Sequence, residues 1–116
     1  MATTGYSDMD RARAAHQGIA VPHVETLAAN LTLSMQYPNL LKLDPGGSAR
    51  DVTLPAEEGN KGAWFHIVNA ADAAENLVIK DDGGSTIATV NQNEEAIVFC
   101  TGSAWTLFRI ATIALS

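Results

Sequence analysis

The residues that could support catalysis or metal binding are few and widely spaced in this chain. Its histidines are His16, His23 and His66, and its one cysteine is Cys100. Metal enzymes and zinc sites place such residues at short fixed spacings, for example HExxH, and none of these spacings occurs here. A cysteine nucleophile also needs a neighbouring base. We therefore predict that His66 is a packed or interface residue and that Cys100 is a small buried side chain.

Three pairs of acidic residues offer a second kind of chemistry. Paired carboxylates hydrolyse glycosides or bind cations. The pairs are Glu57-Glu58, Asp81-Asp82 and Glu94-Glu95. Each lies at a strand end or turn, where solvated charges are expected without any catalytic role. We predict no catalytic residue, no metal site and no cofactor, and we expect that the protein is not an enzyme.

The composition narrows the class of partner. The chain has 116 residues, which suits one domain, and 17% of them are charged, below the roughly 25% typical of globular proteins. Its hydrophobic share is 47%. Less polar material is then available to cover the surface, which favours a surface partly covered by other proteins. The net charge of −6 repels phosphate groups, so neither nucleic acid nor an anionic membrane is an expected partner.

The expected compartment follows from the cysteine count and the termini. A single cysteine cannot form an intrachain disulfide, which fits a protein made in a reducing cytoplasm. The N-terminal residues contain no apolar core of a secretory signal. No apolar run approaches the roughly 20 residues that span a bilayer.

Short apolar stretches separated by turn residues fill the chain from Asn30 onward. Gly, Asn and Asp supply the backbone angles of tight turns, and strands that recur every 8–12 residues are typical of sandwiches and barrels. The pattern predicts an all-β fold, an antiparallel β-sandwich or barrel-like domain of about eight short strands, whose last four strands form consecutive hairpins. It shows no helical period that would support a βαβ unit. The predicted strands are 30–35, 39–44, 50–55, 63–69, 76–81, 85–91, 94–101 and 104–112.

The first 29 residues differ from this pattern. Residues 7–17 are rich in alanine and charge, and Pro22 interrupts any helix that would continue from them. We predict an N-terminal arm over residues 1–29 and an all-β domain over residues 30–116. The arm is either a solvated tail or a segment that becomes ordered on a partner.

Several predicted strands are apolar on both faces. Side chains alternate between the two faces of a strand, and in a protein of this size one face suffices for the core. The second face needs cover, for which we favour another subunit over a second internal layer. The run IATIALS at the C-terminus supports this view. The predicted interface residues are Trp64, His66, Trp105, Ile110, Ile113 and Leu115.

Residues 51–105 resemble a module that recurs in structural proteins of tailed bacteriophages. The resemblance is carried by the strand Val52-Thr53-Leu54-Pro55, a strand that closes on Ile67-Val68-Asn69, the hairpin at Gly83-Gly84, the turn at Glu94-Glu95 and the sequence Gly102-Ser103-Ala104-Trp105. These elements cover about half of the chain. Small free-standing proteins of this kind resemble capsid decoration (cement) proteins.

The resemblance implies a homotrimer that binds the major capsid protein on the outer surface of a phage head, so that the expected location is the virion. In that family an N-terminal arm often reaches the capsid. The arm residues expected to do so are Tyr6, Met9, Arg11, Arg13, Ile19 and Val21. The alternative is a tail-fibre or baseplate module for host recognition, with Trp64 or Trp105 stacking on a carbohydrate. Coiled-coil heptads and repeats of a fibre are absent from the sequence, which favours decoration.

Overall fold

The computed structural model describes residues 21–114, which form nine β-strands in two sheets and contain no helix. The predicted all-β class is confirmed, and each of the eight predicted strands is present. The strands are β1 (His23–Thr26), β2 (Leu31–Thr32), β3 (Leu40–Asp44), β4 (Arg50–Thr53), β5 (Trp64–Asn69), β6 (Leu77–Lys80), β7 (Thr86–Val90), β8 (Glu94–Cys100) and β9 (Trp105–Thr112).

The first six strands alternate between the two sheets. Sheet A has the order β1-β3-β5-β8-β9, and sheet B has the order β2-β4-β6-β7. Within each sheet these first strands pair in parallel, β1 with β3 and β3 with β5, and β2 with β4 and β4 with β6. The expectation of a purely antiparallel fold is therefore wrong. Parallel strands need a long crossover connection, which is usually a helix, and here a strand of the opposite sheet takes that place.

The second half of the chain forms two hairpins in place of one four-stranded meander. β6 pairs antiparallel with β7, and β8 pairs antiparallel with β9, as the turn residues predict. β7 and β8 belong to different sheets, so the predicted pairing of all four sequence neighbours is wrong at this step. The connection at residues 91–93 carries the chain from sheet B to sheet A, and Asn93 in it adopts a left-handed backbone with φ of 62°.

The core lies between the facing rows of the two sheets. Alternate residues are buried along the central strands, as in β5, where Phe65, Ile67 and Asn69 point inward. Burial of these side chains is the main stabilising term of the fold, at about 25 cal/mol per Å² of apolar surface. The fully buried apolar side chains include Leu41, Leu43, Val52, Leu54, Phe65, Ile67, Leu77, Ile79, Val90 and Val98.

The buried polar residue Asn69 connects three segments at the end of β5. Its Nδ2 donates to the carbonyl oxygens of Glu75, at 2.8 Å, and Val90, at 2.9 Å. Its Oδ1 accepts the N–H of Ala71 at 2.9 Å. A buried amide is tolerated only when its donors and acceptors are satisfied. Asn69 therefore fixes the loop after β5 and joins the end of this strand in sheet A to the end of β7 in sheet B.

The described part of the predicted arm belongs to the domain. β1 pairs with β3, and Leu27 is buried in the core. The backbone N–H of Leu27 donates to the carbonyl of Asp44 at 2.7 Å. Gly46 passes so close that a Cβ there would lie 2.2 Å from the carbonyl oxygen of Leu27, which no side chain permits. The predicted boundary at residue 29 is wrong, because extended chain from residue 23 completes sheet A.

We expect Asn69→Ala to lower the free energy of unfolding by about 2–4 kcal/mol, because it removes three hydrogen bonds to backbone groups, two of them buried. Urea unfolding followed by circular dichroism measures this change. Asn76→Ala is the matched control, since Asn76 is half-buried and its side chain makes no hydrogen bond with residues 21–114. Equal midpoints for the two variants would contradict the role assigned to Asn69.

Candidate interaction surface

The outer faces of the two sheets have different chemistry. On sheet B the outward residues are mostly polar, and Lys80 Nζ lies 3.2 Å from Asp51 Oδ2. Thr89 of β7 is exposed on the same face and pairs with Val78. Of the seven large hydrophobic side chains that are exposed within residues 21–114, five lie on strands of sheet A and none on a strand of sheet B. Sheet B has the ordinary solvent face, and sheet A is the candidate for a partner.

Three aromatic side chains form the apolar centre of the outer face of sheet A. Trp64 in β5 pairs directly with Phe99 in β8. The Phe99 ring meets the Phe108 ring edge-to-face, with centroids 6.2 Å apart. Trp64 is 45% exposed and Phe108 is 70% exposed. We call Trp64, Phe99 and Phe108 the aromatic row. Large exposed aromatics are the residues that dominate binding energy at protein interfaces.

The aromatic row continues into a mixed row of polar and apolar side chains. The register aligns Leu40, His66, Ile97 and Arg109 across four neighbouring strands. His66 Nε2 and Glu95 Oε1 lie 2.7 Å apart, so these two half-buried side chains hold each other on the sheet. The outer face of sheet A thus has an apolar centre beside a polar rim, the usual anatomy of a protein–protein interface.

A β-bulge turns an additional aromatic ring onto this face. The register between β8 and β9 shifts between Ile97 and Val98, so that β9 holds one extra residue, Phe108. A bulge places neighbouring side chains of the bulged strand away from simple alternation. Phe108 therefore joins Phe99 on the outer face of sheet A.

Strand β9 is also open on its other side. Leu107 and Ile110 pair with the inward residues Val98 and Ala96 of β8, yet they are 37% and 42% exposed. β9 is the last strand of sheet A, and Trp105 is its one fully buried residue. β9 is consequently exposed at five consecutive positions, residues 106–110.

The structure places the predicted interface residues in different environments. Trp64 and Ile110 are exposed on sheet A, while His66 and Ile113 are half-buried there or just beyond β9. The register places Trp64 and His66 on the outer face of sheet A. Ile110 lies on the inner face, because it pairs with the inward residue Ala96. Leu115 lies outside the described residues.

Trp105 is a correction to the predicted interface. Its side chain is 4% exposed and packs with Phe65 at a centroid distance of 5.9 Å. Its Nε1 donates to the carbonyl oxygen of Pro55 at 2.8 Å. The indole therefore lies in the core and ties β9 to the segment after β4, and the residue has no surface to offer to a partner or to a sugar.

The predicted arm residues lie almost entirely outside the described part of the chain. Tyr6, Met9, Arg11, Arg13 and Ile19 are not described. Val21 is described and is 83% exposed, two residues before β1.

Sequence reasoning did not select Phe99 and Phe108, the other two members of the aromatic row. The signal was available for Phe99, because it alternates with the buried Val98 and Cys100 along β8. No comparable signal existed for Phe108, because simple alternation along β9 gives no sign of a bulge.

One group of carboxylates in residues 21–114 has the spacing of a cation site. Asp44, Asp72 and Glu75 each offer an oxygen within 4.8 Å of the others. The Oε1 atom of Glu75 is buried and has no hydrogen-bond partner among the described residues. Asp44 Oδ1 also accepts the N–H of Gly46 at 2.9 Å. Carboxylate oxygens are the ligands that Ca²⁺ and Mg²⁺ prefer. The cluster joins the end of β3 to the loop after β5 and includes no residue of the aromatic row.

The fold, but no sequence family, has a counterpart among known proteins. No protein-family model matches the chain, and no curated protein matches it. A solved structure described as the structure of a chaperone-substrate complex is similar over 75% of this chain, with a TM-score of 0.50 and 22% sequence identity. The match covers 15% of that solved chain, so the fold is a small portion of a much longer protein there. At this identity the likeness shows the fold alone. Residues 21–114 contain no helix able to cross a membrane.

We expect replacement of Trp105 to destabilise the protein and replacement of Trp64 to leave its stability almost unchanged. Trp105→Leu should lower the free energy of unfolding by about 3 kcal/mol or more, since it removes a buried ring and a hydrogen bond. Trp64→Leu, its matched control on the surface, should change that free energy by less than about 0.5 kcal/mol. Acrylamide quenching checks the assignment independently. If the emission left in Trp64→Leu were readily quenched, Trp105 would not be a core residue.

Proposed function

We propose that this protein is a virion structural protein of the capsid decoration (cement) type, which binds the outer surface of a phage head as a homotrimer and stabilises it. The observation that carries the proposal is the concentration of exposed apolar side chains on sheet A. A soluble domain seldom leaves Trp64 and Phe108 open on one face unless that face meets a partner. The resemblance of residues 51–105 to phage structural modules supports the viral setting.

The aromatic row is the proposed centre of the contact between neighbouring copies of the protein. Trp64 and Phe108 project from a rigid sheet, so little conformational entropy is lost when a partner covers them. His66, Glu95 and Arg109 lie at the rim, where polar pairs set orientation. The net charge of −6 disfavours direct contact with the packaged nucleic acid and is consistent with a position outside the shell.

The proposed contact with the major capsid protein involves the chain before β1. Val21 is highly exposed where the described chain begins, and residues 1–20 precede it. In this proposal those residues reach the capsid, while sheet A meets neighbouring copies. The two contacts together clamp adjacent capsid subunits.

We expect Phe108→Glu to reduce self-association and to weaken binding to undecorated heads at least ~10-fold, because a charge would enter the apolar centre of the contact. Light scattering measures the mass of the purified protein, and co-sedimentation with heads of the parent phage measures binding. Thr89→Glu places the same charge on an exposed strand position of sheet B and should leave both measurements unchanged. A monomeric parent protein at micromolar concentration, or undiminished binding of Phe108→Glu, would defeat the proposal.

A second candidate function is host recognition by a tail-fibre or baseplate module that binds a carbohydrate. The aromatic row favours it, because exposed aromatic rings also stack on sugar rings, and Trp64, which is 45% exposed, is the ring with the largest face. Antibody labelling of intact particles separates the two functions. Decoration requires many evenly spread copies on the head, whereas a recognition module appears in few copies at the tail.

A further inference from the structure

The free edge of β9 is a feature that the proposed contact through the aromatic row does not use. β9 has eight residues, the most of any described strand, and it is the last strand of sheet A. Within residues 21–114 it pairs with β8 alone. Edge strands normally avoid pairing by being short or by carrying proline or several charges. β9 contains no proline and one charged residue, Arg109.

The hydrogen-bonding direction of this edge follows from one observed bond. The N–H of Ile113 donates to the carbonyl of Asn93, on the side of β8, at 2.8 Å. Backbone groups of successive residues alternate between the two sides of a strand. Ala111 and Arg109 therefore point their N–H and C=O groups toward β8, while Thr112 and Ile110 point theirs toward the free edge.

We infer that β9 pairs antiparallel with β9 of a second copy of this chain, about a two-fold axis at Ile110. Ile110 and its counterpart exchange two N–H to C=O bonds in this arrangement, with their Cα atoms about 5.5 Å apart. Their side chains, open on the side that sheet B leaves uncovered, meet each other. The occupant of the edge is thus the same strand of another molecule.

The charges on the outer face fit this register. Pairing centred on Ile110 places Arg109 of one copy opposite Ala111 of the other. Ala111 in turn pairs with Glu95 of its own copy. Arg109 makes no ion pair within residues 21–114, and the small side chain of Ala111 leaves it room to reach Glu95 of the other copy. The two-fold axis repeats this contact, so the arrangement forms two ion pairs.

This contact goes beyond the proposed trimer. A two-fold contact uses one surface twice, whereas a three-fold ring joins two different surfaces. The β9 pair therefore cannot lie within a trimer, and it joins one trimer to the next. A single pair of strands is small beside the roughly 800 Å² per partner of a stable interface. It is weak alone and becomes firm when neighbouring molecules are held at high local concentration, as on a shell.

A cysteine at the centre of the pair tests the inference on the purified protein. Ile110→Cys should form a covalent dimer under a mild oxidant, because the separation of its Cα atoms lies within the range of disulfides. Thr89→Cys, exposed on sheet B, is the matched control and should remain a monomer under denaturing electrophoresis. The native Cys100 is buried and present in both. A mixed dimer between Ile110→Cys and Val24→Cys copies would assign the edge to a head-to-tail contact instead and would overturn the inference.

Charge reversal tests the register. In the Ile110→Cys background, Arg109→Glu should slow cross-linking about 5-fold or more, and adding Glu95→Arg should restore most of the rate. Thermal melting establishes that each variant is folded. The pairing would be ruled out if Ile110→Cys cross-linked no faster than Thr89→Cys. It would also be ruled out if Arg109→Glu left the cross-linking rate of Ile110→Cys unchanged. Head binding is measured separately, so loss of the β9 contact and failure of the decoration proposal give different results.

Discussion

Each of the two sheets has an apolar inner face that only the other sheet covers, and the rest of the structure depends on this mutual burial. The inward residues of β3 and β5 meet those of β4 and β6 across the core. Because successive strands belong to opposite sheets, every connection from β1 to β6 must cross the gap between the layers. The order of the strands is therefore tied to the filling of one core, and neither sheet would be stable without the other.

The same constraint explains why sheet A offers a surface and sheet B does not. Both cover the core with their inner rows, but sheet A has one strand more. The additional strand, β9, buries Trp105 at its start, and its residues 106–110 are exposed. Its apolar side chains and the aromatic row beside it are surplus to the core. Sheet B, with Asp51, Lys80 and Thr89 outward, satisfies its outer face with water.

The sequence was sufficient for the strands but not for their pairing. Turn residues such as Gly84, with its positive φ, and Asn93 delimited the strands well, because tight turns need backbone angles that few residues adopt. Parallel pairing of β3 with β5 leaves no such local mark, since it joins residues brought together by a strand in the other layer. β1 was missed because the four residues His23–Thr26 alternate weakly in hydrophobicity. Trp105 was misplaced because alternation reports which side chains share a face and not which face is the core.

The first six strands alternate between the two sheets, and this arrangement determines how the domain can change in length. β1 with β2, β3 with β4, and β5 with β6 are successive turns of a flattened solenoid, each stacked in register on the next. Such coils contact only their neighbours, so their number is not fixed by the cross-section of the core. Duplication of one coil would lengthen the body by a single inter-strand spacing while preserving the hairpins that close its far end.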